Sequence, residues 1–315
     1  MPIEPGLTRA LASRIKSEIE KSVVNQGYMT DMALAALFCG GHVLIEGVPG
    51  LAKTLWVKTL AQAMSVGFKR VQFTSDLMPS DISGAKIFNM KNSEFELKKG
   101  PLFTNLFLAD EINRTPPKTL SALLEAMEER ALTIDGETHN LSEPFMVLAT
   151  QNPIEFEGAY PLPEALIDRF MMKIIITYPG IAAEKTVLQM HSSGSIAAPA
   201  AQVCNAYDIA ACKQEIEAVH VDDSIYNYII SIIETTRRMN VVAIGASPRG
   251  SISLLKGAKA YAAMMGRDYV VPDDIKDLAM PVLRHRVILK PEAEMDGIRP
   301  DKVIENILAQ VKVPR

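Results

Sequence analysis

Five short runs in the first 180 residues are apolar but for Gln72 and Lys173, at 43–45, 71–73, 106–109, 145–149 and 171–176. A strand with one wet face alternates apolar and polar side chains. Runs this short that do not alternate predict strands covered on both faces, as in a parallel sheet. Helical spacing precedes and separates them. Leu7, Leu11, Ile15 and Ile19 share one face and predict a helix within 7–25. A second is expected over 30–38, closed by Gly40-Gly41. After Pro116-Pro117, a natural helix start, Leu120, Leu123, Leu124 and Met127 fall on one face. Strands alternating with helices predict an α/β domain of three layers.

Two segments break the alternation. Residues 85–99 alternate around Asn92-Ser93 and read as a hairpin. The stretch 133–138 reads as a tighter one, because Asp135-Gly136 suits a type I′ turn. An ordinary surface hairpin is the plain alternative for both. Tyr178-Pro179-Gly180 then marks a boundary, giving an expected core at 1–180 and a second domain at 181–315. Past it, strand signals fade. Residues 191–201, rich in Ser, Gly, Ala and Pro, read as a flexible loop. Helical stretches follow near 223–239, 248–265, 273–283 and 301–311, with Pro272-Asp273-Asp274 and Pro300-Asp301 as expected caps. The second domain is therefore expected to be small and all-helical.

The composition narrows the chemistry. With 315 residues and 48% hydrophobic content, the chain can bury one large core or two smaller ones. The net charge of −4 argues against nucleic acid as the main partner, while leaving room for a local basic pore. Cys39, Cys204 and Cys212 are scattered, which fits buried free thiols in a reducing compartment. The five His show no metal-ligand spacing. No signal-peptide pattern opens the chain and no apolar run is long enough to span a bilayer, so a soluble, cytoplasmic protein without membrane insertion is expected.

The strongest chemical signal follows the first apolar run. Gly47, Val48, Pro49, Gly50, Leu51, Ala52, Lys53 and Thr54 stand between that run and a helical segment. A strand, a Gly-rich turn and a helix in this order form a phosphate-binding loop. Inward-facing backbone amides and the helix start would hold phosphate oxygens. Lys53 would reach the β- and γ-phosphates, and Thr54 would hold Mg²⁺. The usual pattern has Gly before the Lys; Ala52 is unstrained there if its φ is already near helical. The plain alternative is an ordinary left-handed turn between strand and helix.

Two further runs end in polar groups. The run 106–109 leads into Asp110-Glu111, and 145–149 leads through Thr150-Gln151 to Asn152-Pro153. Ligands of open parallel sheets sit beyond the carboxyl ends of the strands. Asp110 would then hold Mg²⁺ through water, and Glu111 would orient and polarise the attacking water. The Asn152 amide could contact both that water and the γ-phosphate. A solvated acidic turn and a turn-forming Asn before Pro are the bland alternatives.

These residues together resemble an AAA+ ATPase, and within that group the MoxR family, itself related to magnesium-chelatase motor subunits. The resemblance runs through 41–54, 110–114, 149–153, 161–170 and 246–249, and covers nearly the whole chain in order and spacing. Ala before the loop Lys is usual in that family. A departure is Asn25 before Gln26, where relatives often have Gly; it touches only a backbone detail near the adenine pocket.

The resemblance implies a P-loop αβα AAA+ core with a parallel sheet, followed by a helical lid. It implies binding and hydrolysis of ATP with Mg²⁺, and preference for ATP over GTP rests on it alone. It casts Asp110 and Glu111 as the Walker B pair and Asn152 as sensor 1. Arg169 becomes an arginine finger acting on a neighbouring subunit's ATP, and Arg249 becomes sensor 2 at the start of a lid helix. Otherwise Arg169 is a local partner of Asp168 or a carbonyl cap, and Arg249 an ordinary helix-face residue; Arg114 reads equally as a structural ion pair. The hairpins correspond to the helix-2 insert and pre-sensor-1 hairpin, which face the central pore in related rings. Implied partners are further copies of this chain, in a ring expected to be hexameric, and a protein client, often one with a von Willebrand factor A domain. The expected outcome is remodelling or maturation, metal insertion included. Two other classes of function share this loop. A nucleic-acid motor would want a basic pore hairpin, yet 133–141 has no Lys or Arg. A non-hydrolysing, ATP-dependent interaction module would not need the full set of acid, sensor and finger residues.

Overall fold

The computed structural model describes residues 6–48, 50–152, 160–192 and 199–314. Its first part holds helices α1 (Leu7–Glu20), α2 (Gly27–Phe38), α3 (Lys53–Ala63), α4 (Pro79–Ser83), α5 (Pro117–Glu129) and α6 (Glu164–Ile167). With them stand strands β1 (Val43–Gly47), β2 (Phe68–Gln72), β3 (Gly84–Asn89), β4 (Glu94–Lys99) and β5 (Leu106–Asp110). They are followed by β6 (Ala131–Ile134), β7 (Glu137–Asn140), β8 (Met146–Gln151) and β9 (Met172–Ile176).

Five of these strands form one sheet in the order β2-β5-β8-β1-β9, and every neighbouring pair is parallel. The non-alternating runs explain the layering. Side chains alternate across a strand, so a run apolar at every position supplies two cores at once. On one face Val43, Ile45, Leu106, Leu108, Met146 and Leu148 join a cluster with α1, α2 and α3. On the other, Leu44, Phe107, Ala109, Val147 and Ala149 join a cluster that includes Leu120, Leu123 and Met127 of α5. This is the expected three-layer arrangement. The strand expected at 71–73 lies instead at Phe68–Gln72. It is the sheet edge, where one-sided cover permits Lys69 and Arg70 and dilutes the apolar signal.

Both hairpins form. β3 and β4 pair from Gly84↔Lys99 to Asn89↔Glu94. β6 and β7 pair with Ile134↔Glu137 flanking Asp135-Gly136, whose φ values of 50° and 81° are those of a type I′ turn. Lys86 of the first hairpin reaches Glu137 of the second at 2.6 Å.

Tyr178-Pro179-Gly180 separates β9 from the later helices: α7 (Ile181–Ser192), α8 (Ala206–Ala218), α9 (Asp223–Arg238), α10 (Pro248–Met264), α11 (Pro272–Leu283), α12 (Pro291–Met295) and α13 (Pro300–Gln310). α8 has no counterpart among the sequence expectations, because its buried face is only Ile209, Cys212 and Ile216. This second part also carries a two-stranded ribbon, β10 (Val242–Ile244) with β11 (Ile288–Leu289), too short to show periodicity. The expected caps sit one step inside: Pro272 opens α11, and Asp274 accepts from Val271 N at 2.9 Å. Positions 193–198 of the expected loop lie outside the described residues. Burial pushes Cys39 and Cys204 up to about 12 and Cys212 up to about 11, so these free thiols stay protonated and unreactive at neutral pH. Among the described residues, no helix is long and apolar enough to cross a membrane.

Candidate functional site

β1 ends at Gly47 and α3 begins at Lys53, so the expected loop joins a central strand to a helix start. Gly47 has no room for a side chain: a Cβ there would lie 2.8 Å from Ile176 O of the neighbouring strand. Gly50 takes φ 85°. Pro49 lies outside the described residues. Ala52 corrects one expectation. Its φ of 55° and ψ of 22° are left-handed, not helical, so the methyl group is held in a conformation that glycine would enter without cost. Asn25, at the other departure from the family pattern, also takes positive φ, which Asn tolerates better than most residues.

Lys53 Nζ donates to Gly47 O at 2.8 Å, holding the ammonium over the loop. Burial lowers its pKa, while the nearby Asp110 and Glu111 pull in the opposite direction. Gly50, Leu51, Ala52, Lys53 and Thr54 line a cleft of about 390 Å³. Across it stand Asp110, Glu111 and Asn152. The sheet order explains this convergence. β1 adjoins β8 and β8 adjoins β5, so three carboxyl ends, each carrying one part of the set, open on the same edge.

Three residues of the cleft were missed from sequence: Thr150, Arg70 and Gln72. Thr150 is 1% exposed; its hydroxyl accepts from Glu111 N at 2.9 Å and donates to Asp110 Oδ1. A hydroxyl closing an apolar run was the available signal. Arg70 donates to the other Asp110 oxygen, from Nε at 3.0 Å and Nη2 at 2.8 Å, and also to Gln72. Nothing local foretold that contact, which requires β2 to lie beside β5. Glu111 has φ 55° and ψ 51°, a left-handed backbone for a non-glycine residue at the cleft. Arg114 Nη1 lies 3.0 Å from Glu111 Oε2, the ion-pair reading of that arginine. The hydroxyl of Thr54 and the carboxylate of Asp110 are hard oxygen donors on one cleft beside the loop, a set that fits a hydrated Mg²⁺ carried by phosphates.

Arg169 and Arg249 do not line this cleft. They meet in a second cavity of about 230 Å³, with which it shares no lining residue. Arg169 Nη2 donates to Glu128 Oε2 at 2.5 Å, and Arg249 Nη2 donates to Glu128 Oε1. Arg169 also caps the Ala165 carbonyl through Nη1. Arg249 is in the first turn of α10, whose cap is Ser247. Glu128 lies near the end of α5, and the hydrogen bond from Arg169, then that from Arg249, keeps its carboxyl below the usual range. Glu128 was not singled out from sequence, because a Glu in the last turn of a helix looks like any exposed residue.

The fold and cleft are those of a P-loop ATPase of the AAA type. The family model for the ATPase family associated with various cellular activities (AAA) matches residues 42–172, and the AAA lid domain matches 234–307. The chain is 40% identical to Chaperone MoxR1 of Mycobacterium tuberculosis, over 99% of this chain and 86% of that protein. It is 47% identical to YeaC of Bacillus subtilis, over 96% and 95% of the two chains. A crystal structure from Cytophaga hutchinsonii superposes with a TM-score of 0.91 at 44% identity, covering 98% of this chain and 96% of that one. The chain belongs to the MoxR family of AAA ATPases, and it is an ATP-hydrolysing enzyme.

Proposed function

We propose that this protein is a chaperone-like ATPase that assembles into a ring and spends ATP hydrolysis on remodelling a protein client. Residues 1–180 serve as the nucleotide-binding core and 181–315 as the lid. In the cleft, the loop 47–54 binds the phosphates, with Lys53 on the β- and γ-phosphates. Thr54 and Asp110 would hold Mg²⁺, which would supply charge neutralisation on the phosphate oxygens. Glu111 polarises the attacking water and Asn152 orients it against the γ-phosphate.

The observation that carries the ring is the separation of the two cavities. Charge develops on the γ-phosphate during transfer and cations offset it. Arg169 and Arg249 share no lining residue with the cleft of their own subunit. They converge instead on the two oxygens of one carboxylate, Glu128, the arrangement suited to gripping a phosphate from a neighbouring copy. An arginine supplied in trans gives about 10³–10⁵ in rate in GTPases. Hydrolysis is then coupled to assembly, in a ring we take to be hexameric and cytoplasmic.

The relative named Chaperone MoxR1 supports a protein client. Magnesium-chelatase subunit ChlI of Nicotiana tabacum, 26% identical over 61% of this chain and 45% of its own length, supports a maturation role in which metal insertion is one outcome. We place proteins with von Willebrand factor A domains first among candidate clients.

The test is steady-state ATPase activity against protein concentration, with mass followed by light scattering. Specific activity should rise with assembly in the wild type and collapse in Arg169→Ala while ATP binding persists. Activity independent of concentration and indifferent to that substitution overturns the trans-acting reading.

A further inference from the structure

We infer that Arg286 is a positioning residue for the paired arginines: from the end of α11 it clamps the turn that carries Arg169 and fixes that turn to the start of α10, which carries Arg249. The inference rests on the trans-acting reading of those two arginines.

Arg286 is 5% exposed. Its Nε donates to Asp168 Oδ1 at 2.9 Å. Nη2 donates to Asp168 O at 2.9 Å and Phe170 O at 2.8 Å. Nη1 donates to Met171 O at 3.1 Å and to Val282 O in the last turn of α11, just before it in the chain. A guanidinium has five N–H donors. All five are engaged by the protein, so none remains for a phosphate, and the role open to this residue is to hold others. The carbonyls it takes, at 168, 170 and 171, bracket Arg169. His285 adds a second bond to Phe170 O, from Nε2 at 3.0 Å.

The same unit reaches Arg249. The Asp168 carboxylate also accepts from Ser247 Oγ, at 3.1 and 3.0 Å, and Ser247 Oγ caps α10 by accepting from Arg249 N at 3.2 Å. One buried cation therefore ties together the backbone behind both arginines, and their meeting on Glu128 follows from that tie. Burial pulls the pKa of Arg286 down and the Asp168 carboxylate offsets it, so the guanidinium stays charged. Apolar side chains packed in its place would serve stability alone equally well. They could not bind three carbonyls around one turn, and a lysine ammonium, with three donors and no planar fork, could not reach all five acceptors.

The test mixes subunits. Arg286→Lys keeps the charge and loses the planar fork. Alone, it should bind ATP at its own loop with wild-type affinity and hydrolyse it about 10- to 100-fold more slowly, the scale of a misplaced group. Lys53→Ala subunits have the converse defect, with intact arginines and no working loop. Equal mixing should restore about a quarter of wild-type activity, because that share of head-to-tail contacts pairs a good loop with good arginines. Asp168→Asn, a milder change to the same unit, should behave alike if Arg286→Lys does not fold. Arg169→Ala mixed with Lys53→Ala is the reference for trans action itself. Recovery in both mixtures supports the inference. Recovery with Arg169→Ala but not with either clamp variant overturns it and leaves trans action standing. Failure of the reference mixture overturns both, and wild-type turnover in Arg286→Lys alone overturns the clamp.

Discussion

Thr150 Oγ1 lies between the backbone of Glu111 and the carboxylate of Asp110, accepting from the first at 2.9 Å and donating to the second. One hydroxyl on β8 therefore sets the direction of both acids at the end of β5. Thr150→Val keeps the shape of the side chain and leaves the Glu111 amide without its partner, at a cost of about 1–3 kcal/mol for a buried donor. Turnover should fall about tenfold or more, through misdirected acids. Thr150→Ser should recover most of it. Equal rates for Val and wild type, measured by phosphate release, would remove this role.

Glu111 faces the cleft on a left-handed backbone. Glu111→Gln retains the shape and the hydrogen-bonding reach but not the basicity. ATP should bind with little change and turn over about 10²–10⁴-fold more slowly. Equilibrium binding of a fluorescent ATP analogue and single-turnover hydrolysis separate the two effects. Normal turnover would falsify the assignment of Glu111 as the group that polarises water.

Ala52 holds φ 55° within the loop. Left-handed backbone costs an L-residue about 1–2 kcal/mol, whereas a glycine in the unfolded chain has extra freedom worth about 0.4–1 kcal/mol. Ala52→Gly should thus stabilise the protein by up to about 1.5 kcal/mol, read as a rise in the urea midpoint. A loss of stability would mean that the loop relaxes to another conformation in solution.

His42 is 4% exposed; Nδ1 accepts from Val147 N at 3.0 Å and Nε2 faces Met127 O at 3.1 Å, so the ring is a neutral Nε2–H tautomer. Burial first, and then the charge of Arg130, lower its pKa from 6.5 to about 3. His285 is lowered too, by burial and by Arg286. Both folded values lie below the unfolded one, so the unfolded chain takes up protons first as the pH drops. Stability should be level above about pH 7 and decline as pH falls from 6.5 towards 3. Urea midpoints between pH 5 and 7 isolate the histidines from the carboxylates. His42→Asn should flatten part of the slope, and a level wild-type profile across that window would contradict the account.

Much of the fold is legible along the chain because it depends on local pattern. Residues 106–109 are apolar at every position, and Leu106 and Phe107 do enter opposite cores. The Asp135-Gly136 turn was readable because few dipeptides accept two positive φ values in succession. α8 was not readable: three buried residues on thirteen make a weak stripe, and its burial depends on packing against α1, α2 and α10.

The site divides along the same line. Sequence alone determined which groups exist and at which element ends they stand: the loop 47–54 after β1, Asp110-Glu111 after β5, Asn152 after β8. Strand-end chemistry is written locally, and a parallel sheet gathers those ends on one edge. The tertiary structure alone decided how the cations are shared. Arg169, Arg249, Glu128 and Arg286 come from four separate elements, and no spacing along the chain encodes their meeting. Only the docking of α10 and α11 on the turn at 168–171 brings two arginines to one carboxylate and a third behind them. Long-range hydrogen bonds between side chains and turn carbonyls leave no periodic trace, because any polar residue at a helix end satisfies the local pattern equally well.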